Sequence, residues 1–143
     1  MNLLARTPEP EHAPTADFPL RLMALSTEKA QSSQWAHPPE GLVEVTVHPD
    51  AAAGVPDGGT AQLESALGAL TVRVRHDRRQ RRDVALLPKG GHLSGGRCAN
   101  ALTRARLTDL GEGAALYEEH ARLRPAYGAP STRVPGIVTP EEA

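Results

Sequence analysis

Most of the side chains that could do chemistry in this chain are disqualified by their spacing. Six histidines (His12, His37, His48, His76, His92 and His120) are scattered through 143 residues. None lies at metal-ligand spacing from another, which argues against a zinc or non-haem iron site. The single cysteine, Cys98, rules out an internal disulfide, and this chain alone could not supply a cysteine-ligated iron–sulfur cluster. No neighbouring base marks that thiol as a nucleophile. The basic run Arg75-His76-Asp77-Arg78-Arg79-Gln80-Arg81-Arg82 has the charge of a nucleic-acid patch. It lacks interleaved aromatic residues, carries Asp77 and is followed by Asp83, so it reads as a solvated hairpin tip between two strands. What remains is a set of loop hydroxyls and amides (Ser26, Thr27, Ser33 and Gln34), a glycine-rich loop from Gly90 to Gly96, and Asn100. The Asn100 amide offers a donor and an acceptor together.

The elements that must position these groups are short. Leu20, Leu22, Met23 and Leu25 make a compact apolar stretch within 18–25, suited to a buried strand. Val43, Val45 and Val47 alternate with Glu44 and Thr46, which predicts a half-buried strand. Pro49 to Gly54 reads as one helical turn opened by proline and closed by glycine. Asp57-Gly58-Gly59 is a tight-turn signal before strands at 60–63 and 69–75, the second alternating Leu70, Val72 and Val74 with Thr71, Arg73 and Arg75. A run at 83–87 ends at Pro88-Lys89-Gly90-Gly91, and the segment 100–123 has room for a short helix or a final strand. Thirteen glycines and thirteen prolines punctuate these strands, and the core must be built from Ala, Leu and Val because the chain has one Phe, one Trp and two Tyr. The periodicity fits a small β-barrel.

The length suits one domain. Residues 1–17 and 124–143, rich in Pro, Ala and Glu, read as flexible tails around a folded body at 18–123. A net charge of −1 gives no general affinity for nucleic acid or an acidic membrane. No apolar run approaches the roughly 20 residues of a membrane span, and the N-terminus lacks the apolar region of a secretory signal. The expectation is a soluble cytoplasmic protein with no nucleic-acid or membrane partner.

Four ordered pieces carry a family resemblance. The first is Phe18-Pro19-Leu20-Arg21-Leu22 leading to Ser26-Thr27, then Gln31-Ser32-Ser33-Gln34-Trp35. The second runs from Val43 to Ala52 through His48-Pro49-Asp50-Ala51-Ala52, with Gly54-Val55-Pro56-Asp57-Gly58 behind it. The third is Val84-Ala85-Leu86-Leu87-Pro88 with Gly90-Gly91-His92, and the fourth is Asn100-Ala101-Leu102-Thr103 followed by Thr108-Asp109 and Gly113. Together they resemble the molybdopterin dinucleotide-binding domain, the C-terminal domain of the dimethyl-sulfoxide-reductase and formate-dehydrogenase family of molybdopterin oxidoreductases.

The resemblance implies a mainly β fold, a six-stranded double-psi β-barrel of the aspartate-decarboxylase-like kind with short helices. It implies a molybdopterin guanine dinucleotide carrying molybdenum or tungsten, shared with a larger catalytic subunit, and no redox turnover by this chain alone. Ser26, Thr27, Ser33 and Gln34 would then donate to phosphate or ribose. Gly90 and Gly91 would bring backbone N–H groups to phosphate oxygens, and Asn100, with Thr103 and Asp109, would meet the pterin or base edge. Glu28 stands where the family commonly has glycine or a cation. That departure supports an alternative in which an orphan barrel has lost the cofactor and works as an interaction module through its arginine-rich hairpin. A self-processing decarboxylase on the same barrel is set aside, because the chain has no Gly-Ser dipeptide.

Overall fold

A computed structural model describes residues 14–26, 28, 30–31, 34–35, 40–91, 95–104, 107–108, 111, 113 and 119–126. Alternating apolar residues build the strands. They are β1 (Leu20–Leu25), β2 (Ala30–Gln31), β3 (Gln34–Trp35), β4 (Val43–Val47), β5 (Thr60–Ser65), β6 (Ala69–His76), β7 (Val84–Pro88) and β8 (His120–Pro125). Six of them close a barrel in the order β1-β7-β4-β6-β5-β8, while β2 and β3 pair separately as a short antiparallel ribbon. This is the six-stranded, mainly β barrel expected above. Its only helical pieces among the described residues are short 3-10 turns, including Pro49–Ala51 and Ala99–Ala101.

The barrel is mixed. β1 runs parallel to β7 with Arg21 opposite Val84 and Leu25 opposite Pro88, and β4 runs parallel to β6 with Val43 opposite Val72. The two parallel pairs meet antiparallel where Thr46 lies opposite Leu86. β5 pairs antiparallel with β6 and with β8, and β8 pairs antiparallel with the start of β1. Inward positions fill the interior with small branched side chains. Leu22, Val45, Val47, Leu63, Val72, Val74, Leu87 and Leu102 are the largest fully buried ones, and the buried core among the described residues contains no aromatic ring. Close packing of such a set comes from many modest contacts rather than from a few large rings.

Two expectations are corrected. The apolar stretch in β1 is not buried throughout: Leu20, Leu22 and Ala24 face inward, while Met23 is half-buried and Leu25 exposed. A strand alternates its faces, so the small Ala24 takes the interior and the larger Leu25 does not. The arginine-rich segment is not a hairpin tip either, because β6 and β7 are not neighbours; β4 lies between them. The connection crosses over the end of β4. There the Asp77 N–H donates to the Val47 carbonyl at 3.0 Å and Arg82 pairs with Asp50 at 3.1 Å.

This topology sorts the loops to two ends. Since β7 opposes β4, the finishing ends of β1 and β7 lie at one end and those of β4 and β6 at the other. The second end also holds the Pro49–Ala51 turn, where the His48 ring accepts from the Asp50 N–H. Asp57 there accepts from the His76 N–H at 2.7 Å. The turn between β5 and β6 falls at the first end.

Candidate functional site

At the first end, parallel pairing brings two loops out side by side. The Lys89 N–H donates to the Leu25 carbonyl at 2.8 Å, extending the β1–β7 ladder by one bond. Exposed Ser26 therefore leaves the barrel beside Lys89 and the pair Gly90-Gly91. Gly90 and Gly91 have φ of 90° and 98°, left-handed conformations that glycine adopts without steric cost.

After the glycine loop the chain returns against itself. A β-carbon on Gly91 would stand 2.5 Å from the Arg97 carbonyl oxygen and 2.9 Å from its carbon. Only a residue with no side chain lets these two arms touch. Cys98 and Ala99 then sink into the core, and the 3-10 turn forms through Ala101 N–H to Cys98 O at 3.0 Å and Leu102 N–H to Ala99 O at 2.9 Å. Buried positions 98, 99 and 102 leave Asn100 pointing away from the core, exposed.

The segment is also held from two other sides. Gly68, in the β5–β6 turn, lies against Ala101, with a hypothetical β-carbon 2.6 Å from the Ala101 oxygen. That turn is tight, the Ser65 N–H donating to Gly68 O and the Leu67 N–H to Ser65 Oγ. Further on, buried Glu119 takes the Arg104 Nε–H at 2.6 Å and the Arg104 backbone N–H at 3.2 Å through one oxygen. The Glu119 carbonyl in turn accepts from the Leu22 N–H of β1 at 2.8 Å. Half-buried Thr103 sits between the Asn100 turn and this anchor.

Of the nine residues expected to contact a ligand, the structure gathers Ser26, Gly90, Gly91, Asn100 and Thr103 at or beside this end. Thr27, Ser33 and Asp109 lie outside the described residues, and Gln34 is described only as the β3 partner of Gln31. Thr108 and Gly113 flank Asp109 and close on each other, Thr108 N–H to Gly113 O at 2.7 Å and Gly113 N–H to Thr108 Oγ1 at 3.0 Å. Sequence reasoning passed over Arg97. Its Nη1 atom is buried and has no hydrogen-bond partner among the described residues. The available signal was a lone arginine between Gly95-Gly96 and the single cysteine, outshone by the arginine run at 75–82.

That run belongs to the opposite end and is largely offset. Arg75 pairs with Glu44, Arg79 with Asp77, Arg81 with Asp83 and Arg82 with Asp50. The Arg81 guanidinium bonded to Asp83 holds its carboxyl down to about 2, and Arg79 lowers Asp77 in the same way. Pairing of this kind removes most of the field that a bare basic patch would project. No cluster of His, Cys, Asp and Glu able to hold a metal occurs among the described residues. No helix among them is long and apolar enough to cross a membrane.

Comparison with known proteins agrees with this geometry. A search of curated proteins gives no match. Among solved structures the barrel is similar to acetylene hydratase from Pelobacter acetylenicus, with a TM-score of 0.62 and 20% sequence identity over 76% of this chain. The chain spans 18% of that protein's length. The family model described as "Molydopterin dinucleotide binding domain" matches residues 24–119, a stretch that takes in both finishing loops, the Asn100 turn and Glu119. The chain belongs to the molybdopterin dinucleotide-binding domain family.

Proposed function

We propose that the first end of the barrel holds the dinucleotide part of a molybdenum or tungsten pterin cofactor, in its guanine form. The observation that carries this reading is the convergence of Ser26, Gly90-Gly91 and Asn100 where β1 and β7 finish together. These residues suit such a group. Gly90 and Gly91 hold left-handed conformations, and a glycine loop of that kind can turn backbone N–H groups toward phosphate oxygens. The Ser26 hydroxyl would donate to phosphate or ribose, and the Asn100 amide would read a base or pterin edge with both donor and acceptor. Thr27, Ser33, Gln34, Thr103 and Asp109 complete the proposed contact set. When bound, the metal and its pterin supply the redox or atom-transfer chemistry, and the protein supplies binding and orientation.

The chain works with a larger molybdopterin oxidoreductase catalytic subunit, in the formate-dehydrogenase manner, and assembles with it in the cytoplasm. Its 18% share of the acetylene hydratase chain supports a role as one part of a larger enzyme. Expressing the full chain in a cofactor-producing host and oxidising bound pterin to its fluorescent product tests binding. Released GMP rather than CMP identifies the nucleotide, and elemental analysis the metal. Co-purification with a molybdenum- or tungsten-containing subunit tests the partner. A monomer that takes up neither pterin nor partner would refute the proposal.

A further inference from the structure

We propose that Arg97 receives an anionic oxygen, a phosphoryl oxygen of the dinucleotide; this inference rests on the cofactor-binding reading above. The Arg97 Nη1 atom is buried with no hydrogen-bond partner among the described residues, while the residue as a whole keeps some exposed surface. A guanidinium carries five N–H donors and a positive charge. Sealing one of those donors away without an acceptor costs its full desolvation. The other half-buried arginines among the described residues avoid that cost: Arg104 is bonded to Glu119 and Arg122 to Glu64. Among the described residues Arg97 is the exception, and it stands at the proposed site.

Its position is fixed from both sides. The Arg97 carbonyl is pressed against Gly91, and the next two residues, Cys98 and Ala99, are core residues. The side chain therefore starts from a rigid base, between the Gly90-Gly91 pair and the exposed amide of Asn100. A permanent cation that is partly desolvated is best offset by an ionised acceptor, and the planar guanidinium fork matches two oxygens of a phosphate. A neutral base carbonyl would satisfy the hydrogen bond without offsetting the charge. Among the described residues the one buried carboxylate, Glu119, is already committed to Arg104.

The test uses the full chain, with sodium pyrophosphate, GDP and guanosine as probes, followed by NMR of the Arg97 side-chain N–H. Pyrophosphate and GDP should shift that signal and guanosine should not. Arg97→Met should weaken pyrophosphate and GDP by about tenfold or more, and Arg97→Lys by less. The thermal midpoint of Arg97→Met should stay level or rise, since an unpaired buried donor has gone. Equal binding by wild type and Arg97→Met overturns the inference while leaving cofactor binding intact. So does a wild-type chain that takes up pterin yet ignores both phosphate probes. A fall in thermal midpoint that accompanies the loss of binding also overturns it, because the arginine then serves the fold. Failure of the wild type to take up pterin or any phosphate probe brings down the cofactor reading itself.

Discussion

Gly68 and Ala101 touch through backbone alone: a β-carbon on Gly68 would come within 2.6 Å of the Ala101 carbonyl oxygen. The β5–β6 turn thereby sets the height of the Asn100 turn above the barrel. Gly68→Ala must push one of two backbones aside. Overpacking of this kind costs typically about 1–3 kcal/mol. Denaturant unfolding should show a loss in that range, whereas Gly95→Ala, with open space around its β-carbon, should stay within about 0.5 kcal/mol of wild type.

The Arg104–Glu119 pair makes a second prediction. One Glu119 oxygen holds both the guanidinium and the backbone N–H of Arg104. The carboxylate side chain is 11% exposed and the arginine 36%, so solvent screens the pair only in part. Glu119→Ala leaves both donors without that acceptor and should cost about 1–3 kcal/mol. Glu119→Gln keeps an acceptor oxygen and should cost less. Equal losses in the two variants would show that bulk, not hydrogen bonding, holds the segment.

Asp83 and Asp77 make stability depend on pH. Hydrogen bonding to Arg81 lowers the Asp83 pKa from 3.8 to about 2, and Asp77 is lowered by Arg79. A carboxylate whose folded pKa lies below its unfolded value stabilises the fold fully above about pH 4, and loses that contribution as pH falls toward the folded pKa. The thermal midpoint should therefore drop between about pH 4 and pH 2, less steeply in Asp83→Asn, and added salt should shrink the difference because both carboxylates face solvent. An unchanged profile in the variant would count against this account.

Binding and folding should separate within a single 3-10 turn. Asn100 is exposed and Leu102 fully buried. Asn100→Ala should leave stability within about 0.5 kcal/mol of wild type while reducing pterin recovered with the purified chain. Leu102→Ala opens a cavity and should cost about 2–5 kcal/mol. A stable Asn100→Ala chain with undiminished pterin would remove Asn100 from the contact set.

The strands were legible wherever one face is wet. Val43, Val45 and Val47 alternate with polar residues, as do Leu70, Val72 and Val74, and both segments are strands with those side chains inward. The turn at Asp57-Gly58 and the short helix at Pro49 were readable from residues that demand special backbone geometry. Which strands are neighbours was not, because pairing order depends on contacts far apart in sequence. Hence a two-stranded hairpin was expected where the 77–83 connection in fact bridges over β4. Ser26, the glycine pair and Asn100 were singled out through the family pattern. Arg97 escaped because an unpartnered nitrogen is a property of its surroundings, invisible in residue type or spacing.

β8 joins β1 to β5 and is the last described strand in the chain. During synthesis, β1 and β5 therefore emerge with bare hydrogen-bonding edges that stay unmatched until His120 to Pro125 leaves the ribosome. Such edges invite pairing with other chains. A ribosome stalled short of His120 would hold an open sheet, so the hazard lies in the interval before β8 arrives.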